Sequence, residues 1–450
     1  MEKARSNFSG KLGFVLAAAG SAVGLGNIWR FPYLAAKYGG GVFLLVYIAL
    51  SVTFGFSLMI AEISIGRKTG LSAIGAFEKL NKKYSFIGYL AALVPVIILP
   101  YYSVIGGWVT KYLAAYIAGD SLVASDGYFN QFIESDAAPI FWFLIFIAAT
   151  ALVVLFGVEK GVEKVSKIMM PVLVVLSLAI AVYVCFIPGA GAGVTYYLLP
   201  DFSHFSIMTV VAAAGQLFYS MSLAMGIMIT YGSYMKKSVN LESSVHQIEI
   251  FDTGIAFLAG MMIIPAVFAF SGGDESALSA GPGLMFITLP KVFASIPGGR
   301  FLGILFFVLV LFAALTSSIS LMETVVSILQ DKLKVNRKPA SLIVFVGSAL
   351  LGLLSALGYG SLGHITIIGM QFLDFFDFIS NSVLMPIVAL LTCIFVGYIM
   401  KPKAIAEEVE LSGRFRWQRM FDVMIKYVAP IFLLMILISS VLSAFKIITI

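Results

Sequence analysis

Apolar stretches of about 20 residues or more recur eleven times along a chain of 450 residues, and that repetition restricts the fold more than any other feature. A stretch of this length suits an α-helix crossing a ~30 Å hydrocarbon layer, whereas a membrane-spanning strand needs only about 9–11 residues. The stretches lie near 12–37, 41–66, 86–117, 140–157, 166–187, 206–234, 249–270, 300–329, 340–357, 368–399 and 428–446. Hydrophobic residues make up 60% of the chain and charged residues only 12%, with a mean hydropathy of +1.01. Water-soluble domains are roughly a quarter charged. An all-α integral membrane protein of eleven transmembrane helices is expected.

Charge placement gives these helices a direction, because cytoplasmic loops hold the excess of Lys and Arg. With the N-terminus inside, all of the 29 Lys and Arg fall on the cytoplasmic side except Arg30, Lys37, Lys111, Lys291, Arg300 and Lys446. The 118–139 loop carries Asp120, Asp126, Glu134 and Asp136 and no basic residue, as an external loop should. An odd number of spans places the C-terminus outside the cell membrane. The formal charge of +6 follows from this bias and does not indicate a nucleic-acid partner. Cys185 and Cys393 both fall within spans, which excludes a disulfide framework and a cysteine metal site. Arg30 and Pro32 break the first apolar run, so no cleavable signal peptide is expected there.

Two spans are interrupted. Gly20-Ser21-Ala22-Val23-Gly24-Leu25-Gly26-Asn27 puts three glycines within seven residues at membrane depth, followed by Arg30, Phe31 and Pro32. Backbone at that depth must be hydrogen-bonded internally unless it faces protein, a cavity or an ion. The sixth stretch has a similar run of small and hydroxyl residues from Gly215 to Gly226. Broken helices five spans apart point to two inverted five-span repeats, 12–187 and 206–399, with a binding site where the breaks meet. A cytoplasmic segment 1–11, a loop 400–427 and an eleventh helix with a short external end, 428–450, complete the expected organisation.

The Gly20 to Pro32 run, Gly39-Gly40-Gly41, Glu62, Gly66-Arg67, Tyr101-Tyr102, the Gly215 to Gly226 run, Thr288-Leu289-Pro290 and Leu315-Thr316-Ser317-Ser318 together resemble the neurotransmitter:sodium symporter family. The likeness is to its bacterial, eleven-span, amino-acid-carrying branch, and it implies a leucine-transporter-like fold. It also implies sodium-coupled uptake of an amino acid, with two sodium ions as the only cofactors. Unwound carbonyls and hydroxyls give sodium several oxygen ligands without a full charge. By resemblance, one site takes Gly20, Val23, Ala313, Thr316 and Ser317, tying span one to span eight. The second takes Ala22, Asn27, Ser220 and Asp252 together with the carboxylate of the substrate. Most members have a neutral Asn at the position of Asp252, and many animal members bind chloride near the equivalents of Tyr47, Gln216 and Ser220. An ionised Asp252 supplies that negative charge itself, so chloride-independent transport is expected.

For the substrate, the start of the half-helix after the first break offers N–H groups and a partial positive charge to a carboxylate. Leu25 and Gly26 supply that backbone and Tyr102 a hydroxyl, while carbonyls around Tyr219, Ser220 and Ser222 take the amino group. Ser21, Gly24 and Leu25 are not acidic, which favours an α-amino acid over a monoamine lacking its own carboxylate. Matching positions make Ser21, Ala22, Ile98, Tyr219, Ser222, Met225, Ser317 and Leu321 the rest of the pocket, suited to hydrophobic or aromatic L-amino acids. Arg30 and Asp377 match an outer gate, with Tyr102 and Tyr219 beneath. Arg5, Phe8, Tyr234 and Asp331 match an inner one. Glu62 is expected to hold the unwound backbone, Glu323 has no assigned role, and His204, His246 and His364 are read as structural. The chain is expected to act in the bilayer as a monomer or homodimer. A non-transporting amino-acid sensor on the same scaffold and a proton-coupled amino-acid transporter stand as alternatives.

Overall fold

The computed structural model describes residues 7–272 and 281–447. Helix follows helix: α1 (Lys11–Ala22), α2 (Gly26–Lys37), α3 (Gly41–Thr69), α4 (Lys82–Ala118), α5 (Ala137–Leu155), α6 (Val158–Cys185), α7 (Ile207–Ser220) and α8 (Ile227–Ser233). Then come α9 (Leu241–Ser271), α10 (Leu284–Ser295), α11 (Gly299–Leu333), α12 (Arg337–Leu357), α13 (Phe372–Met400) and α14 (Gln418–Ala444). Among the described residues nine of these are long and apolar enough to cross a membrane, and α1 with α2 forms a tenth span bent by 54°. The expected sixth span is divided into α7 and α8, each too short to cross alone, so length and composition give ten spans where eleven were expected.

Several helix ends lie outside the apolar limits because capping chemistry, not hydropathy, sets them. Helix α9 begins at Leu241, eight residues before the expected 249, where the Asn240 side chain accepts the Ser243 N–H at 2.8 Å. The expected loop 400–427 holds a short helix, Pro402–Glu410, and α14 already starts at Gln418. That approach is fastened by Glu242, whose carboxylate accepts the backbone N–H groups of Arg416 and Trp417.

Burial sorts the helices into an inner and an outer set. The most apolar windows of α3, α4, α9 and α11 are 61–78% buried, those of α5, α6 and α12 33–39%, and that of α14 17%. The broken helices pack mainly on the inner set, α1 on α9 and α11 as well as on the outer α6, and α8 on α3. Close approach of α8 to α3 depends on paired glycines. A Cβ at Gly66 would meet the Ile229 carbonyl oxygen at 1.8 Å, and one at Gly232 the Ile63 carbonyl oxygen at 2.3 Å. No side chain fits at either crossing.

Candidate functional site

The first break spans Val23 to Leu25, where Val23 turns to extended backbone with ψ 101°. The second runs from Met221 to Gly226 and contains Ser222 (φ 53°), Ala224 (φ 59°) and Gly226 (φ 69°) in the left-handed region. Two non-glycine residues in that region are strained, and such strain persists only where surrounding contacts hold it. Here Glu62 of α3 accepts the Ala224 N–H at 2.7 Å, and Ser222 Oγ donates to the Ser21 carbonyl at 2.9 Å. Ser21 Oγ in turn donates to Ser222 Oγ at 3.1 Å. The two breaks are therefore bonded to each other as well as braced from α3.

One cavity lies between them, and every residue expected to touch substrate, from Ser21 to Leu321, lines it. Gly24, Asn27 and Ile227 line it too. Sequence reasoning missed Ile227; the only signal was its place directly after the glycine that ends the second break. The cavity is tight, about 30 Å³. Glycine is required at two points of its wall, since a Cβ on Gly24 would lie 2.7 Å from Ser317 Oγ and one on Gly26 2.7 Å from the Tyr219 ring. Tyr102 Oη accepts the Leu25 N–H at 3.4 Å, at the start of the second half-helix. A larger apolar groove of about 450 Å³, at the ends of α6, α9 and α10, carries none of these groups.

The oxygens assigned by resemblance to sodium gather in two places. Ser317 Oγ of α11 reaches across to the Ser21 and Val23 carbonyls, at 3.0 and 3.3 Å. Thr316 instead makes the local bonds usual for a helical hydroxyl, to the Phe312 and Ala313 carbonyls at 3.0 and 3.1 Å. Gly20 packs against Thr316, a Cβ there falling 3.2 Å from the threonine Cβ. A buried set of neutral carbonyls and hydroxyls suits a monovalent cation. The second cluster centres on Asp252, fully buried, which accepts Ser220 Oγ at 2.7 Å, Asn27 Nδ2 at 2.8 Å and Tyr47 Oη at 3.3 Å. Asn27 Oδ1 accepts the Gly24 N–H at 3.0 Å, and Ala22 lines the adjoining cavity. Gln216 Nε2 donates to the Gly26 carbonyl at 3.0 Å.

The residues of the two expected gates differ in how far they are joined. Arg30 lies over the Tyr219 ring at 5.5 Å, and Asp377 accepts Tyr101 Oη at 3.1 Å and Asn381 Nδ2 at 2.6 Å. Among the described residues Arg30 and Asp377 form no direct ion pair. At the expected inner gate Phe8 is edge-on to Phe14, Tyr231 and Tyr234, and its N–H donates to the Tyr234 carbonyl at 3.1 Å. Tyr234 Oη donates to Glu323 Oε1 at 2.8 Å, and Arg337 bonds the other carboxylate oxygen. Glu323 thus joins this cluster. Asp331 accepts both the N–H and the hydroxyl of Ser72, at 2.8 and 2.6 Å. Arg5 lies outside the described residues.

Residues 5–122 and 131–448 match the sequence model of the Sodium:neurotransmitter symporter family. The chain belongs to that family. An uncharacterised sodium-dependent transporter of Haemophilus influenzae is 34% identical over 97% of this chain and 98% of its own. One of Bacillus subtilis is 36% identical over 89% of each. The human sodium- and chloride-dependent taurine transporter is 29% identical over 73% of this chain and 61% of its own length. Among solved structures, MhsT in complex with L-phenylalanine superposes with a TM-score of 0.87 at 39% identity, covering 97% of this chain and all of that one. The family comprises sodium-dependent transporters, not enzymes, and this member shares the MhsT fold.

Proposed function

We propose that this symporter carries hydrophobic or aromatic L-amino acids into the cell, driven by sodium and without chloride. The observation that carries the reading is the cavity between the two breaks, lined by small neutral residues, two tyrosines and apolar side chains. Its backbone N–H and tyrosine hydroxyl suit a carboxylate, and the absence of an acidic residue at 21, 24 and 25 suits a substrate that brings its own. The bound phenylalanine of MhsT supports an aromatic side chain. The ligands proposed for two sodium ions are the Gly20, Val23, Ala313, Thr316 and Ser317 set and the Ala22, Asn27, Ser220 and Asp252 set. Chloride is unnecessary because the Asp252 carboxylate already occupies the donors Tyr47 and Ser220.

Alternating access follows from this arrangement. Sodium bridging α1 and α11 stabilises the outward-facing form, and substrate completes the second sodium shell. Closure then engages Tyr102, Tyr219, Arg30 and Asp377. Inward opening releases the Phe8, Tyr234 and Asp331 region, with residues 12–187 and 206–399 moving as inverted repeats. Each sodium entering a polarised cell contributes about 2.3 kcal/mol per 100 mV.

The test is uptake of radiolabelled phenylalanine, leucine, tryptophan and tyrosine into proteoliposomes, comparing inward sodium and potassium gradients with and without chloride. Sodium-dependent, chloride-indifferent accumulation supports the reading. Sodium-dependent binding without accumulation favours a sensor, and no binding of any of the four refutes the assignment of the pocket.

A further inference from the structure

On the side of α9 that leads to the Asp252 cluster, a second acid lies buried where the transport scheme above gives it no work. Glu249 has a side chain only 4% exposed, and its Oε1 has no hydrogen-bond partner among the described residues. Its Oε2 lies 3.0 Å from His246 Nδ1. Residues three apart on a helix share a face, so His246, Glu249 and Asp252 follow one another along α9 at axial steps of about 4.5 Å. Exposure falls in the same order: the histidine side chain is 31% exposed, the glutamate 4%, and Asp252 fully enclosed. The imidazole is fixed between its neighbours, stacked on Phe56 of α3 with ring centroids 4.6 Å apart and set edge-on to Trp417 at 5.3 Å.

The surrounding charges are engaged elsewhere. On α1, Lys11 donates to Ser243, and on α6, Glu163 holds Ser9 and Lys167. Glu242 takes the Arg416 and Trp417 N–H groups, and the charge that acts on Asp422 of α14 is Lys426. The groups left to act on Glu249 are His246 and Asp252. A buried carboxylate with one satisfied oxygen, joined to an imidazole about one-third exposed, is a pair built to exchange a proton with the solvent at that end of the helix. Acid and histidine chains inside membrane helices serve such traffic in pumps and transporters.

We propose that Glu249 and His246 form a proton-binding site open to the cytoplasm, whose occupancy opposes that of the cation site around Asp252 one helical turn away. The physical basis is charge: a deprotonated Glu249 favours a cation nearby, and a protonated one removes that help. By linkage, sodium binding then releases a proton, and acidification weakens sodium binding by as much as about tenfold per pH unit. The proposal rests on the sodium reading above.

The test uses the full-length purified protein. Binding of radioactive sodium is measured at equilibrium between pH 5.5 and 8.5, together with the proton released on adding sodium in weak buffer. The wild type is expected to release protons and to lose sodium affinity on acidification. Glu249→Gln should bind sodium with little dependence on pH and release few protons. His246→Gln should bind sodium and shift the pH at which release is half-maximal. Glu249→Gln releasing as many protons as the wild type overturns the proposal while leaving the sodium reading intact. Failure of the wild type to bind sodium at all overturns both.

Discussion

One of the bonds that hold the second helix break comes from Glu62, and its contribution can be worked from the geometry. Glu62 is 2% exposed, its Oε1 accepts the Ala224 N–H at 2.7 Å, and its Oε2 has no partner among the described residues. Ala224 holds φ 59°, a conformation that costs a non-glycine residue about 1–2 kcal/mol. Glu62→Ala leaves the Ala224 N–H in a dry interior, at about 1–3 kcal/mol for an unsatisfied donor. The strained residue then loses the bond from α3 that holds it. A loss of about 2–3 kcal/mol in the binding-competent arrangement corresponds to roughly 30- to 150-fold in apparent amino-acid affinity.

Glu62→Gln is the informative control. Its amide oxygen still accepts the N–H, and removing a buried carboxylate with one empty oxygen offsets the weaker neutral bond. Its effect should stay within about 1 kcal/mol, less than roughly fivefold in affinity. Adding Ala224→Gly to Glu62→Ala should restore part of the loss, because glycine adopts a left-handed conformation without support. Equilibrium binding of the transported amino acid, beside thermal melting of each purified variant, reads all four proteins. If Glu62→Gln proves as damaging as Glu62→Ala, the site uses the carboxylate charge and the argument from hydrogen bonding is refuted.

Other perturbations follow from the same geometry. Gly24→Ala and Gly26→Ala force a methyl to 2.7 Å from Ser317 Oγ and the Tyr219 ring, so binding should weaken at least tenfold with melting little changed. Unaltered binding would show that those neighbours yield freely. Ser317→Ala removes the hydroxyl that bridges α11 to the Ser21 and Val23 carbonyls, and the sodium concentration for half-maximal uptake should rise roughly tenfold or more. Asp252→Asn should make uptake chloride-dependent or abolish it, and normal uptake in chloride-free buffer would refute the role given to this carboxylate. Phe8→Ala empties a site against three aromatic rings, at about 3–5 kcal/mol for a buried phenylalanine. It should speed labelling of Ser21→Cys from the cytoplasmic side in a chain with Cys185 and Cys393 replaced.

What a sequence reveals of such a site depends on whether the cause is local. The breaks are legible because clustered glycine and hydroxyl residues at membrane depth weaken a helix just where its backbone must stay bonded, and the cavity between them follows. The structure sets Ser21, Tyr102, Tyr219 and Leu321 around that one space although 300 residues separate the first from the last. The strained backbone is not legible, since a left-handed turn suggests glycine and the chain has Ser222 and Ala224 there. Their conformation is imposed by Glu62 and Ser21, contacts that no local pattern encodes. Arg67 shows the same limit. Its sequence position marks it as a cytoplasmic charge beside Gly66, yet its side chain is fully buried, paired with Glu408 at 2.8 Å and bonded to the Val239 carbonyl.

That last cluster also bears on what moves. Arg67 lies near the end of α3, the helix that carries Glu62, and it fixes the Pro402–Glu410 helix and the segment before α9 to the same point. A buried charge pair is expensive to break because either partner alone is left unsolvated. So α3 and the segments leading into α9 and α14 are set to move together, while α1 is held to its surroundings by hydroxyls and aromatic edges that exchange at lower cost. The division places the easily broken contacts on the helix whose carbonyls are proposed to hold sodium. On the proposed function, ion loss there and release of α1 are one event, with α3 and Glu62 keeping the second break in shape while it happens.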